Sequence, residues 1–166
     1  MGDLTIDAFD FCRQGEQREG EIPVAQLPRL AQETVDGGSG SLRWRLQGGR
    51  DHHGHPQLTM MVRGIVKLVC QRCLQPLAYD IDSSATLVLA QDEASANEID
   101  ALLDDENVEV IVGGRAMEIA GLVEDDALLS LPLSARHDVC PDQGAIPRAP
   151  EEEKVSPFSV LKNLKR

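Results

Sequence analysis

The feature that most constrains the fold is a period of two that runs through the middle of the chain. Leu42, Trp44 and Leu46 alternate with polar residues, and apolar residues recur at nearly every second position over residues 58–70 and 77–89. Such alternation is typical of half-buried β-strands. Three strands with short connections favour an antiparallel meander. The sequence therefore predicts an α+β fold with an antiparallel sheet of three to four or more strands and a few helices packed on it.

Outside the alternating region, the pattern predicts helices and one further strand. A short helix begins near Pro28, because proline is tolerated at a first helical position, and residues 93–106 form an acidic helix or loop. The apolar run at 108–112 fits another strand. Over residues 116–133, apolar side chains recur at three- and four-residue spacing, so a helix packs one stripe against the sheet. In this register the acids at 124–126 face water. The stripe consists of Ile119, Leu122, Val123 and Ala127.

The character of the sequence changes after residue 141. Residues 1–141 are predicted to form a single α+β domain. Residues 142–155 contain prolines, a charge run and no period, which is typical of a flexible linker. Residues 156–166 form a short docking segment with one apolar edge, and its target is either the parent domain or a partner protein. The edge consists of Phe158, Leu161 and Leu164.

Charge is segregated along the chain. The net charge is −12, yet residues 41–75 carry six basic side chains and one acid, whereas residues 91–110 carry eight acids and no base. Most of the cations of the first two predicted strands have the parity opposite to the core residues, so strand pairing would place them on one face. Such a face is a footprint for RNA phosphates, although ordinary solvated charges remain the alternative. The candidate RNA contacts are Arg43, Arg45, Arg63, Lys67 and Arg72.

Several function classes lack support in the sequence. Residues 1–10 do not resemble a secretory signal, and no apolar run approaches the ~20 residues of a membrane helix, so we expect a cytoplasmic protein without membrane contact. Catalytic signature strings and regularly spaced carboxylate pairs are missing, so we expect neither an enzyme nor a small-molecule substrate. His52, His53 and His55 occupy one polar loop and are predicted to be solvated.

The cysteines raise the possibility of a metal site. Cys70 and Cys73 form a CxxC pair at the turn between the second and third strands, and His137 and Cys140 form a second pair with the same spacing. Structural zinc is usually held by four Cys or His ligands delivered in such pairs. Two buried, inert thiols are the alternative. A redox dithiol is disfavoured because residues 77–89 continue as a strand, whereas redox CxxC pairs open a helix.

The order of the motifs resembles a known family. The matching stretches are VCQRCLQPL at 69–77, LVEDDALLSLPL at 122–133, HDVCP at 137–141 and SPFSVLKNLKR at 156–166. Together they resemble the YceD family, the large ribosomal RNA subunit accumulation proteins.

The resemblance implies a non-enzymatic role in ribosome biogenesis, in which the protein supports accumulation or processing of large-subunit (23S) ribosomal RNA. The implied partners are ribosomal RNA, a ribosomal protein or an assembly factor. A protein-interaction adaptor that uses the acidic segment and the tail without touching RNA is the alternative, and a zinc or thiol protein is a third. Some relatives carry a second CxxC near Cys140. Gln143 stands at that place here, so a zinc site in this chain would need His137.

Overall fold

The structure, a computed structural model, describes residues 4–103 and 107–141, and these residues form an α+β fold, as predicted. The predicted linker and docking segment lie outside the described residues. The strands are β1 (Thr5–Ile6), β2 (Gln17–Pro23), β3 (Ser41–Arg50), β4 (Pro56–Val69), β5 (Pro76–Ala90), β6 (Val108–Val112) and β7 (Met117–Glu118). The helices are α1 (Ala8–Gln14), α2 (Pro28–Glu33), α3 (Glu93–Leu103) and α4 (Ile119–Ser130). Each of these helices is too short or too polar to span a membrane.

Strands β3, β4 and β5 form the antiparallel meander that the alternation predicted, and β2 adds a fourth antiparallel strand beside β3. The sheet has the order β2-β3-β4-β5-β6, and β1 pairs with β7 in a small separate ribbon. The first four strands of the main sheet pair antiparallel. β4 and β5, with 14 and 15 residues, are the long central hairpin. The turn of this hairpin carries the CxxC pair.

The polar loop that contains the three histidines is a short turn between β3 and β4. β3 continues to Arg50, so only five residues separate the strands. The Asp51 carboxylate accepts hydrogen bonds from the backbone N–H groups of His53 at 2.9 Å and His55 at 2.7 Å. Aspartate often closes turns by bonding its own following backbone in this way. The histidine loop is therefore a structured turn centred on one carboxylate.

The sheet departs from a pure meander at its last strand. β6 pairs with β5 in parallel, with Thr86 opposite Val108 and Ala90 opposite Val112. Parallel neighbours need a long crossover connection, usually a helix, and α3 lies in that connection. The acidic segment that the sequence left as helix or loop is thus helical over Glu93–Leu103.

One face of the main sheet and the helices α1, α2 and α4 enclose a single core. The first strands and helices, which have no clear sequence period, belong to it: β2 adds an edge strand beside β3, and α1 lies across β3. A Cβ atom at Gly48 would lie 2.5 Å from the carbonyl oxygen of Phe11, so the close approach of α1 to β3 requires glycine there. The sheet residues of the core include Ile22, Leu42, Trp44, Leu46, Leu58, Met60, Val62, Val66, Ile81 and Leu87.

The prediction that residues 124–126 face water is wrong for two of the three acids. Glu124 and Asp126 are only 5% and 8% exposed. The Glu124 carboxylate accepts hydrogen bonds from the backbone N–H groups of Arg29 at 2.7 Å and Leu30 at 3.1 Å. These are free donors in the first turn of α2, which lacks a side-chain cap of its own. An acid of α4 therefore caps α2, which a period within α4 alone cannot reveal.

Candidate metal centre

The turn between β4 and β5 places two thiols side by side. The backbone N–H of Cys70 donates to the carbonyl of Gln75 at 3.0 Å, and the N–H of Leu74 donates to the carbonyl of Cys70 at 2.8 Å. Leu74 adopts the left-handed backbone region, with φ of 61°, which is uncommon for a non-glycine residue. The hairpin thus closes through a knuckle that holds Cys70 and Cys73 near its tip.

The segment after α4 brings the second pair of predicted ligands to this knuckle. The backbone N–H of Gln71 donates to the carbonyl of Ala135 at 2.8 Å, and the Ser134 hydroxyl donates to the Gln71 side-chain oxygen at 3.0 Å. These bonds fix the segment immediately before His137 and Cys140. The redox alternative stays disfavoured, since the CxxC pair lies between two antiparallel strands rather than at a helix N-terminus.

The four predicted metal-ligating residues converge on one point. One donor atom from each of Cys70, Cys73, His137 and Cys140 lies within 4.8 Å of all the others. The sulfurs of Cys70 and Cys140 are 3.9 Å apart, and the sulfur of Cys73 is 3.3 Å from Nδ1 of His137. Tetrahedral zinc with bonds of about 2.0–2.3 Å separates its donors by roughly 3.3–3.8 Å. The cluster therefore has the size and donor set of a closed four-ligand metal site.

The histidine is oriented for coordination through Nδ1. Its Nε2 lies 3.1 Å from the carbonyl oxygen of Pro76, and a carbonyl can only accept, so Nε2 carries the proton. The lone pair of Nδ1 then points toward the thiols. Metal-bound histidines usually donate their other ring N–H to a carbonyl or carboxylate in this way. The carbonyl of Pro76 thus accepts the hydrogen bond that fixes the tautomer of His137.

The surroundings of the thiols favour a thiolate. Burial alone would raise the pKa of Cys70, but backbone N–H groups of Cys73, His137 and Arg72 outweigh it and lower this pKa to about 5. Although a backbone hydrogen bond at Gln75 lowers the pKa of Cys73, burial and the neighbouring thiols raise it overall. A cluster in which one thiol ionises readily and the next resists is typical of adjacent sulfurs that compete for the same negative charge.

Arg72, which the sequence suggested as a fifth RNA contact, belongs to this cluster. Its Nε donates to the sulfur of Cys140 at 3.1 Å, and its terminal nitrogen donates to the carbonyl of His137 at 2.8 Å. Both bonds tie the CxxC knuckle to the second ligand pair. Arg72 was a candidate RNA contact in the sequence, and its place between the two cysteines was the only signal of this different role.

The other four candidate RNA contacts share the solvent face of the main sheet. Arg43 of β3 lies directly opposite Arg63 of β4 in the strand register. An acid flanks this arginine pair on each side. Glu21 of the neighbouring strand β2 lies opposite Arg43, and Asp82 of the neighbouring strand β5 lies opposite Arg63. The sheet thus carries a transverse row with the charge order minus, plus, plus, minus. The sequence could not reveal this order, because the acids come from distant segments.

Two of the cations on this face have carboxylate partners. Nε of Arg63 donates to Asp82 at 2.8 Å, and Arg45 contacts Glu19 at 2.9 Å. Within the described part of the chain, Arg43 and Lys67 have no ion-pair partner. A shallow cavity of about 650 Å³ lies over the middle of the face. Its polar lining comprises Glu19, Glu21, Arg43, Arg45 and Arg63.

The remaining predicted residues fall elsewhere. Phe158, Leu161 and Leu164 lie outside the described residues. The histidines of the β3–β4 turn form a ring cluster in which the centroids of His52 and His53 are 4.0 Å apart. Within residues 4–103 and 107–141, only the Cys70 cluster brings three or more potential metal ligands together.

The fold and the site define the class of protein: an α+β protein whose central hairpin is joined to its last described segment by a three-cysteine, one-histidine cluster of metal-ligand type. Comparison with known proteins then gives the family. The chain belongs to the family described as "Large ribosomal RNA subunit accumulation protein YceD", whose model matches residues 58–165. This confirms the resemblance seen in the motifs.

A protein of Haemophilus influenzae named "Large ribosomal RNA subunit accumulation protein YceD" is 28% identical over 174 aligned residues, which cover 98% of this chain and 95% of that one. No solved structure shows significant similarity.

Proposed function

We propose that this protein is a ribosome-biogenesis factor that supports accumulation or processing of large-subunit (23S) ribosomal RNA, and that it acts by binding rather than by catalysis. Membership of the family supports the process. The direct pairing of Arg43 with Arg63 on the solvent face of the sheet supports the mode of action. With this role we expect a cytoplasmic protein that has no membrane contact and no small-molecule substrate.

The pairing of two arginines is informative because like charges directly opposite each other on neighbouring strands are unfavourable. An anion bound between Arg43 and Arg63 relieves that repulsion. Lys67 lies farther along β4 on the same face and is also unpaired within the described residues. The ion pairs of Arg45 and Arg63 are exposed and contribute little stability. These two side chains can therefore exchange a carboxylate for a phosphate at small cost.

The chemistry of this face favours phosphate over bases. Trp44, the one tryptophan of the chain, points into the core and is 6% exposed, so it offers no stacking surface of the kind used by single-strand RNA-binding sheets. The acids on β2 and β5 border the cations on both sides and repel a polyanion that lies away from the central strands. We therefore expect a narrow contact in which the RNA backbone follows β3 and β4.

We further propose that Cys70, Cys73, His137 and Cys140 hold a zinc ion in a structural role. All four positions of a tetrahedron would be filled by protein ligands, whereas catalytic zinc sites keep one position open for water or substrate. The ion would join the β4–β5 hairpin to the segment after α4. The metal would then maintain the fold of an RNA-binding protein and take no part in a reaction.

Charge reversal in cells tests the role of the sheet face. In cells that lack the native protein, we would express the chain with Arg43→Glu and Arg63→Glu, and measure 23S ribosomal RNA relative to 16S. A matched control reverses two exposed arginines away from this face, Arg13 and Arg115, and changes the net charge by the same amount. We expect the first variant to resemble the deletion and the control to restore 23S levels. Normal 23S levels with both variants would exclude the basic face.

The second candidate function is a protein-interaction adaptor that does not touch RNA. It is favoured by α3, which has no buried residue and carries the 59%-exposed Leu102 beside several acids. A basic partner protein would suit such a surface. Deleting residues 151–166 would then remove co-purifying partners while leaving the fold intact. If the same partners are recovered with the shortened chain, the tail has no dominant role in binding them.

A further inference from the structure

An apolar groove with an acidic rim lies between α4 and the β5–β6 edge of the main sheet. It encloses a cavity of about 360 Å³. The carboxylates of Glu109, Asp125 and Asp126 border it, and Arg29 is the one cation among its lining residues. The apolar part of its lining includes Met60, Leu87, Ile111, Leu122 and Leu129.

Two features of the groove indicate that it accepts an occupant. Leu129 of α4 is 78% exposed at its edge. Asp126 is almost fully buried, and its Oδ1 accepts a hydrogen bond from the Ser83 hydroxyl at 2.9 Å. Its Oδ2 has no donor among the described residues. A buried carboxylate oxygen without a partner is costly, so the groove is suited to an apolar side chain that is accompanied by a cation.

The cation within the groove cannot meet this need. The guanidinium of Arg29 already contacts Glu124 at 2.9 Å and Asp125 at 2.7 Å. Burial raises the pKa of Asp126, and the further negative charge of Glu109 acts in the same direction. The rim therefore keeps an excess of negative charge after its internal ion pairs are formed.

We propose that the occupant is this chain's own C-terminal segment, residues 156–166. Its sequence SPFSVLKNLKR combines the apolar edge of Phe158, Leu161 and Leu164 with three cations, Lys162, Lys165 and Arg166. In a helix, residues three and four apart are neighbours, so helical spacing would put Lys162 and Lys165 beside that edge. The segment therefore complements the groove, because its apolar side chains suit the apolar floor and its positive charge suits the acidic rim.

The connecting chain is long enough for this docking. The described residues end at Pro141, next to the metal-ligating cluster, and residues 142–155 separate that point from the segment. Extended chain covers about 3.3 Å per residue, so this stretch spans up to about 45 Å, whereas a domain of this size has a radius of gyration of only about 14 Å. Tethering also raises the local concentration of the segment to roughly millimolar, which favours it over a free partner. This docking does not depend on RNA binding by the sheet.

Photo-cross-linking of the full-length chain tests the occupant. We would replace Phe158 with benzoylphenylalanine, irradiate the dilute protein and map the products by mass spectrometry. We expect cross-links within one chain, to peptides that contain residues 108–112 and 119–130. Cross-links to the β2–β3 face or to the metal-ligating cluster would overturn the proposal. So would cross-links between two chains, which would indicate a second copy as the occupant, or an absence of cross-links.

Hydrogen exchange provides a second, independent measurement. The variant L161D/L164D places two charges on the apolar edge, and the control S159D/N163D adds the same charge on the opposite side of the segment. We expect amides of α4 and β6 to exchange several-fold faster in the edge variant and at the native rate in the control, because only the edge variant leaves the groove empty. Equal exchange in the two variants would show that the groove is not covered by this segment.

Discussion

The sulfurs of Cys70 and Cys140 lie 3.9 Å apart although 70 positions separate them in the chain. Cys70 directly follows β4, and a short irregular segment connects the end of α4 to Cys140. The contact therefore closes a loop that contains β5, α3, β6, β7 and α4. A link that closes a long loop removes conformational entropy from the unfolded chain, so a metal ion held here would stabilise the whole second half of the fold.

Replacing Cys140 with serine is expected to abolish metal binding and to destabilise the protein. The free energy of unfolding should fall by about 2–4 kcal/mol, the usual effect of removing a cross-link that closes a loop of this length. Elemental analysis of untagged protein and thermal unfolding with and without a chelator check this. The control is Cys12→Ala, because Cys12 lies in the core away from the cluster. This control should keep one zinc per chain, and a metal-free native protein would contradict the prediction.

Replacing Glu124 with glutamine should destabilise the contact between α4 and α2. The native carboxylate accepts two backbone N–H bonds and contacts the Arg29 guanidinium. Hydrogen bonds to a charged acceptor are stronger than those to a neutral one, so we expect a loss of about 1–3 kcal/mol in urea unfolding. The neighbouring Asp125→Asn removes an exposed ion pair with the same arginine and should cost less than about 1 kcal/mol. Equal losses would refute the capping role.

The Glu124 contact should also make stability depend on pH in the acid range. Burial would raise the pKa of Glu124, but hydrogen bonds from Leu30 and Arg29 outweigh it and hold this pKa below its usual value. Since the folded-state pKa is the lower one, the stabilisation is complete above the unfolded-state pKa of about 4.3. It is lost as the pH falls through the folded-state pKa. The difference in unfolding free energy between the native chain and Glu124→Gln should therefore narrow below about pH 4.

Two adjacent glycines in β3 offer a matched test of the contact between α1 and β3. A Cβ atom at Gly48 would lie 2.5 Å from the Phe11 carbonyl oxygen, whereas a Cβ atom at Gly49 would have no atom within 4 Å. Backbone cannot move aside as a flexible side chain can, so Gly48→Ala should destabilise the fold by about 1–3 kcal/mol. Gly49→Ala should be nearly neutral in the same chemical denaturation experiment. Similar effects at both positions would contradict the close approach.

Binding to fragments of 23S ribosomal RNA should weaken steeply as salt increases. If four cations of the sheet face contact phosphates, the logarithm of the binding constant should fall with the logarithm of salt with a slope of about −3 for single-stranded RNA. Lys67→Ala should reduce the magnitude of that slope by roughly 0.7, and Arg13→Ala should leave it unchanged. Fluorescence anisotropy over a salt series measures both values. A slope near zero for the native chain would exclude phosphate contacts as the basis of binding.

Sequence reasoning succeeded where the signal is local. Alternation over β3, β4 and β5 predicted the central meander, because side chains point to opposite faces at every step of a strand. It also placed Arg43 and Arg63 on the solvent face. It missed the acids that border them, since Glu21 and Asp82 come from other strands and their neighbours depend on register. The parallel pairing of β6 was not predicted either, because an apolar run does not encode the direction of the strand with which it pairs.

The sequence by itself determined the strand parity, the family motifs and the identity of the four Cys and His side chains that converge. Only the tertiary structure decided that Glu124 caps α2, that Asp126 is buried, and that Arg72 donates a hydrogen bond to the thiol cluster. The physical reason is the range of the interactions. Backbone geometry imposes periodicity between near neighbours, whereas the partner of a charge or of a free N–H group is chosen by the packing of segments that lie far apart in the chain.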